Sequence, residues 1–376
     1  MESRGVETAG ARPAVESGAA APAAEAPRAR GLGRARTRTL VSPAVTAALV
    51  IAALVLVPSI FSLYYVDAFT QVAIYSIVTL GLGVLVGRVG MVSLGQGAVL
   101  AMGAWVAARL LFATSLPFPV VLLAAGVITM VLGTLVGLPA LRMSGLYLAL
   151  ITLMLAGAIT VTLANINFPN GGHGFTGYNG GSVHIPAIRR PSIATSDPAF
   201  FRYAVIVAII MFALVFLHLR GRPGRAWAAI RQSESAALAA GINTTLYKLW
   251  AFALVSFITG IAGGLVAGSF RYLNSLTFST QDSITLLAVV LMGGAYNMGG
   301  AVVAAFLLKF LQALLNDIGV SADWLTILFG IGVLQVLTTA PRGLVEQFPK
   351  DMARLGGLLS GVLGRRDRTS AEGRPE

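Results

Sequence analysis

Residues 249–270 read LWAFALVSFITGIAGGLVAGSF. No charged side chain interrupts them, and at about 1.5 Å of helical rise per residue the stretch is long enough to cross a hydrocarbon core about 30 Å thick. The phrase GIAGGLVAG spaces small residues so that a second helix can approach closely. Working outward, comparable apolar runs occur at 40–61, 68–87, 92–111, 117–139, 144–166, 201–219, 284–296, 300–316 and 324–340. The run at 284–296 is short. It reads as a tilted helix, a re-entrant half-helix, or the first part of a helix broken at Gly293, Gly294, Gly299 and Gly300. The expected fold is all-α: a polytopic integral membrane helical bundle of about ten transmembrane segments, or eight if the short runs are re-entrant.

Composition agrees. Of 376 residues 56% are hydrophobic and 11% charged, against about 25% charged in a soluble domain. Mean hydropathy is +0.81. Cysteine is absent, which removes disulfides, thiolate metal sites and Cys nucleophiles together. His173, His184 and His218 are scattered without metal spacing, so no cofactor or metal is expected.

The net charge of +12 is topological. Seven basic residues fall in 4–38, five in 220–248 and seven in 342–374. A positive-inside arrangement puts both termini and the 220–248 segment in the cytoplasm, and a nucleic-acid partner has no support. Residues 1–39 read as a disordered basic cytoplasmic tail, 40–341 as the transmembrane domain and 342–376 as a cytoplasmic C-terminal tail. Leu40–Phe61 is too long for a signal-peptide core and reads as an uncleaved first span. Arg189, Arg190 and Arg202 fall on the outer side as exceptions, the first two exposed on a Gly-rich loop from Asn167 to Pro198.

The apolar runs hold no Asp or Glu, the groups that ion-coupled carriers place at midplane. The only lysines are Lys248, Lys309 and Lys350, none in a phosphate-binding loop, so ATP can drive this chain only through another. The segment GRPGRAWAAIRQSESAALAAGINTTLYK, 221–248, suggests where that chain would act. Pro223 suits a first helical turn, strong helix formers follow, and Gly241 stops them, predicting a cytoplasmic helix over roughly 225–240. Small side chains at Ala236, Ala237, Ala239 and Ala240 let it seat in a partner's groove, with Arg231 and Glu234 fixing register at the rim. A basic interfacial helix lying on lipid is the alternative.

AIRQSESAALAAGINTTLYKLWAFALVSFITGIAGGL, with GRVGMVSLGQGAVLAMGAW at 87–105, RMSGLYLALITLMLA at 142–156 and SITLLAVVLMGGAYNMGGAVVAAFLL at 283–308, resembles the M-type permease subunits of branched-chain amino-acid ABC importers over roughly residues 70–345. The resemblance implies a transport subunit, not an enzyme, in a bacterial-type inner membrane. It also implies a homologous second permease, two cytoplasmic ATPase subunits and an extracytoplasmic solute-binding protein, alongside membrane lipid. The importer pattern Glu-Ala-Ala-x-x-x-Gly falls on Ser235, Ala236, Ala237 and Gly241, with Ser at the acidic position and Glu234 one place earlier. Gln96 stands where many relatives have His. A related sugar permease, or a channel or carrier without an ATPase, remains the alternative; urea or amides are alternative solutes.

Candidate path residues are Ser93, Gln96, Gly97, Thr152 and Asn165, with Gln71, Gln312 and Gln335 as further polar groups in apolar runs. Each has a packing explanation, an interhelical hydrogen bond. Lys309 is expected to snorkel to a headgroup or to meet a partner's carboxylate.

Overall fold

The computed structural model describes residues 43–140, 145–165, 188, 190–270, 273, 278–320, 322–339, 343–345 and 347. The two expected tails, and most of the 167–198 loop, lie outside them. From Val50 onward the chain makes one compact unit; of the preceding unit, Met1–Leu49, only the opening turns of the first helix are described. Every regular element among the described residues is helical.

The helices are α1 (Pro43–Ile60), α2 (Leu63–Gly83), α3 (Gln96–Ala113), α4 (Phe118–Ala140), α5 (Leu146–Asn165), α6 (Asp197–Arg220), α7 (Arg222–Gln232), α8 (Glu234–Ala239), α9 (Thr244–Phe270), α10 (Thr280–Gly293), α11 (Met298–Ala305), α12 (Leu311–Asp317) and α13 (Ala322–Thr339). A π-helical turn, Val84–Val89, extends α2, and another, Phe306–Phe310, joins α11 to α12. Among the described residues six segments are long and apolar enough to cross a membrane: Leu63–Val89, Gln96–Ala113, Phe118–Leu135, Asp197–Arg220, Thr244–Phe270 and Met298–Asp317. Val50–Ile60, Tyr147–Leu163, Thr280–Gly293 and Ile327–Val336 are shorter apolar helices.

Apart from Asp67 and a few uncharged polar groups, helix α2 is apolar on every face, and a helix of that kind belongs inside a bundle. Residues from Val66 to Leu82 are buried on nearly every side, against α6, α9, α11 and α3. The tightest contacts join α9 to α3 and α4. A Cβ added at Gly103 would lie 2.6 Å from the Cα of Gly260, and one at Gly263 would lie 2.5 Å from Ala104 N and Leu100 O. The glycines of 260–268 therefore serve packing. Between helices in lipid there is little hydrophobic driving force, so van der Waals contact at close range does the holding.

Two stretches depart from the hydropathy reading. The run at 92–111 does not start as helix: residues 90–95 are irregular and α3 opens only at Gln96. Gly90, at φ +85°, ends the preceding π-turn, a backbone state that costs glycine nothing. The 284–296 run resolves as a separate helix. α10 ends at Gly293, Gly294 turns at φ +110°, and Asn297 Oδ1 accepts from Gly299 N at 3.1 Å to cap α11.

Candidate functional site

The polar candidates gather where the irregular 90–95 segment meets α3. Thr152, on α5, accepts the Leu94 N–H at 2.9 Å. Ser93 accepts the Gly95 N–H at 3.4 Å, and Ser283, in the first turn of α10, accepts the Gly97 N–H at 3.1 Å. Gln96 Nε2 donates to Thr259 Oγ1 on α9. Non-helical backbone among packed apolar helices is tolerated where neighbouring side chains satisfy it or where it lines a cavity, and both conditions hold here.

Beside these bonds lies a cavity of about 20 Å³ lined by Ser93, Gln96, Thr152, Gly133, Phe252 and Ser256. It has room for a water molecule and no more. Of the sequence candidates, Ser93, Gln96 and Thr152 line it; Gly97 does not, and its N–H is held by Ser283. Asn165 is elsewhere: exposed at the end of α5, its side chain donates to Val161 O at 2.8 Å. Sequence reading missed Ser283, Thr259 and Ser256. A hydroxyl in an apolar helix usually bonds its own preceding turn, as Thr70 does to Val66 O at 2.8 Å, so residue type alone does not mark the exceptions.

Gln71 makes an interhelical bond, its Nε2 donating to Ser269 Oγ at 3.0 Å, and Ser269 Oγ donates to Asp67 Oδ1 at 3.3 Å. Because α2 begins at Leu63, ahead of the apolar run, Asp67 lies inside the helix. Lys309 Nζ sits 4.0 Å from the Tyr75 ring centroid, a cation–π contact within the bundle. Arg190, expected exposed, has a side chain only 7% accessible. It donates to the carbonyls of Gly268 and Ser269 at the end of α9 at 2.9 and 3.1 Å and pairs with Asp197 at 2.5 Å, a cation placed where a helix dipole favours one.

The 220–248 segment forms two helices where one was expected. α7 buries Ala226, Trp227 and Ile230, and Trp227 Nε1 donates to Tyr247 O at 2.8 Å. At Ser233 the backbone is extended, and its Oγ accepts from Ala236 N at 3.2 Å. Serine competes in this way for the N–H groups a continuous helix would leave inside, and so starts a new one. α8 closes on Gly241, at φ +79°, with Ile242 N donating to Ala237 O and Gly241 N to Leu238 O at 3.0 and 2.9 Å, a Schellman pair. Ala237 is buried; Ala236, Leu238, Ala239 and Ala240 are exposed. Ser235 Oγ lies 3.0 Å from Ser233 Oγ, and Glu234 pairs with Lys248 of α9 at 2.6 Å. Arg231 lies at the end of α7 and is exposed. Its guanidinium points back to the bundle, donating to Gly87 O with Tyr296 beneath it.

Six helices long and apolar enough to span a membrane, packed around a small polar-lined cavity, fit the class of membrane permease subunits. Similarity to known proteins narrows it. Residues 64–337 match the family described as branched-chain amino acid transport system / permease component, and the chain belongs to that family. It is 31% identical over 79% of its length to the high-affinity branched-chain amino acid transport system permease protein LivM of Salmonella typhimurium, covering 73% of that protein. Against LivM of Escherichia coli the identity is 30% over the same shares. The fructose import permease protein FruG of Bifidobacterium longum is 27% identical over 65% of this chain and 73% of its own. No solved structure matches.

Proposed function

We propose that this chain lines one half of the translocation path of an ATP-driven importer of branched-chain amino acids, beside a homologous second permease, and takes its motion from two cytoplasmic ATPase subunits. A solute-binding protein delivers cargo on the outer side. The chain crosses a bacterial-type inner membrane ten times with both termini in the cytoplasm.

The observation that carries the reading is α8. It is a short, double-capped helix that buries Ala237 and presents Ala236, Leu238, Ala239 and Ala240 outward. Small residues beside one exposed leucine suit insertion into a groove of another protein. Glu234, Ser235, Ala236, Ala237 and Gly241 make up the coupling element, and alternating access moves the walls at Ser93, Gln96, Gly97 and Thr152. The similarity to a fructose permease supports a sugar as second reading, on the same architecture. The family match over 64–337 and the higher identity to LivM favour the amino acid.

The test is reconstitution in vesicles. Labelled leucine should accumulate only when the second permease, the ATPases, the binding protein and ATP are all present, with fructose, ribose and urea as competitors. Rapid leucine flux through this chain alone would overturn the reading.

A further inference from the structure

We propose that Arg231 is the pin that carries motion from α7 into the membrane helices. Three contacts, to two elements, meet at its side chain. The first is the π-helical end of α2: the guanidinium donates to the carbonyl of Gly87, one of the terminal carbonyls a helix leaves without an internal partner. The second is the turn between α10 and α11, whose Tyr296 ring lies 4.4 Å from the guanidinium carbon. The third is Gly90, where a Cβ would come within 3.4 Å of Arg231 Cγ, so the aliphatic stem lies against the glycine that ends α2.

The junction is built for that contact. A Cβ at Gly87 would strike the Ala295 carbonyl, so only glycine lets the end of α2 and the α10–α11 turn touch backbone to backbone. That approach brings the Gly87 carbonyl and the Tyr296 ring close enough for one side chain to engage both. Arginine meets the demand because its planar head donates in its plane and stacks through its face. The positive charge is also favourable at a helix C-terminus. Beyond Gly90 the chain runs directly into Ser93, Gln96 and the cavity, and α10 carries Ser283 at its other end. A shift of α7 is therefore delivered to the segment that leads into residues 94–97 and to α10, one of the two helices that hold their backbone. Arg231 acts through these helices and is a positioning residue; it touches no solute.

This proposal rests on the ATP-driven reading above. The experiment uses the full reconstituted importer and reads solute moved per ATP hydrolysed, together with co-purification of the ATPases. For R231Q the ratio should fall about tenfold, an ordinary size for a coupling free energy between sites, while the ATPases still co-purify. Y296L should lower it in the same direction, and Y296F, which keeps the ring, should restore it. The double variant R231Q/Y296L should be no worse than R231Q, since the two residues form one contact. Should R231Q not insert, the contrast between Y296L and Y296F carries the test. A wild-type ratio in R231Q overturns the pin alone. So does loss of the ATPases in R231Q with an unchanged ratio in Y296L, which would place Arg231 against the motor. A wild-type complex without ATP-driven uptake removes the reading of function, and the pin with it.

Discussion

Nζ of Lys248, at the start of α9, lies 2.6 Å from Oε1 of Glu234, at the start of α8. The bond ties α8 to the 27-residue helix α9, which packs against α3 and α4. The Lys248 side chain is 11% accessible and the Glu234 side chain 47%, so one partner is shielded and the other wet. A pair of that kind contributes about 0.2–1 kcal/mol and weakens with salt. E234Q is expected to leave thermal stability in detergent within that range while lowering ATP-dependent uptake. The exchanged pair E234K/K248E should recover part of the uptake, as measured in vesicles at low ionic strength.

Gly241 has no atom within 4 Å of where its Cβ would be, so its requirement is purely conformational. Alanine at φ +79° costs about 1–2 kcal/mol and asparagine less. G241N should assemble with the ATPases and transport, G241A should do so less well, and G241V should lose assembly while still inserting. A237E places a charge where 2% is exposed and should fail like G241V. Co-purification of the ATPases and vesicle uptake decide both.

The glycine contacts of α9 predict a sharp contrast in stability. G263A and G103A push side-chain atoms into backbone at 2.5–2.6 Å and should each destabilise by about 1–3 kcal/mol. Gly330, on α13, has nothing within 4 Å, and G330A should be neutral or slightly stabilising. Unfolding midpoints of the purified protein give the comparison.

Because the chain contains no cysteine, single introduced cysteines report on the path without background. S93C and T152C should react slowly with a water-soluble thiol reagent when the cavity is water-sized, and faster during ATP turnover. N165C, exposed at the end of α5, should react rapidly throughout. In S283A the Gly97 N–H loses its hydroxyl partner, at a cost of about 1–3 kcal/mol, and uptake should fall with it.

The helical architecture was legible because hydropathy alone marks apolar runs, and each run overlaps a helix. Where a run starts was less legible. Averaged hydropathy passes smoothly through VGMVSLG, but Gly90 turns the backbone and Thr152 and Ser283, distant in sequence, hold the amides that follow. Periodicity likewise could not show that Ser233 would divide the 220–248 helix, since serine is neutral until its hydroxyl finds an N–H. Ser93, Gln96 and Thr152 stood out in the sequence as polar groups in apolar runs, the first two beside glycines. Ser283 was not, because its role depends on which helix lies opposite. Arg190 and Arg231 read as surface charges, and only the fold reveals the carbonyls that each one holds.

The amides of Leu94 and Gly97 are satisfied by hydroxyls from two different helices, α5 and α10, which the proposed path would require to separate. When α5 and α10 draw back, whatever enters must offer oxygen lone pairs in their stead. Water can, and so can the carboxylate of a zwitterion, but a hydrocarbon tail cannot. On the proposed path, the same pair of N–H groups would favour polar cargo and disfavour acyl chains, so the surrounding lipid would not flood the opened seam.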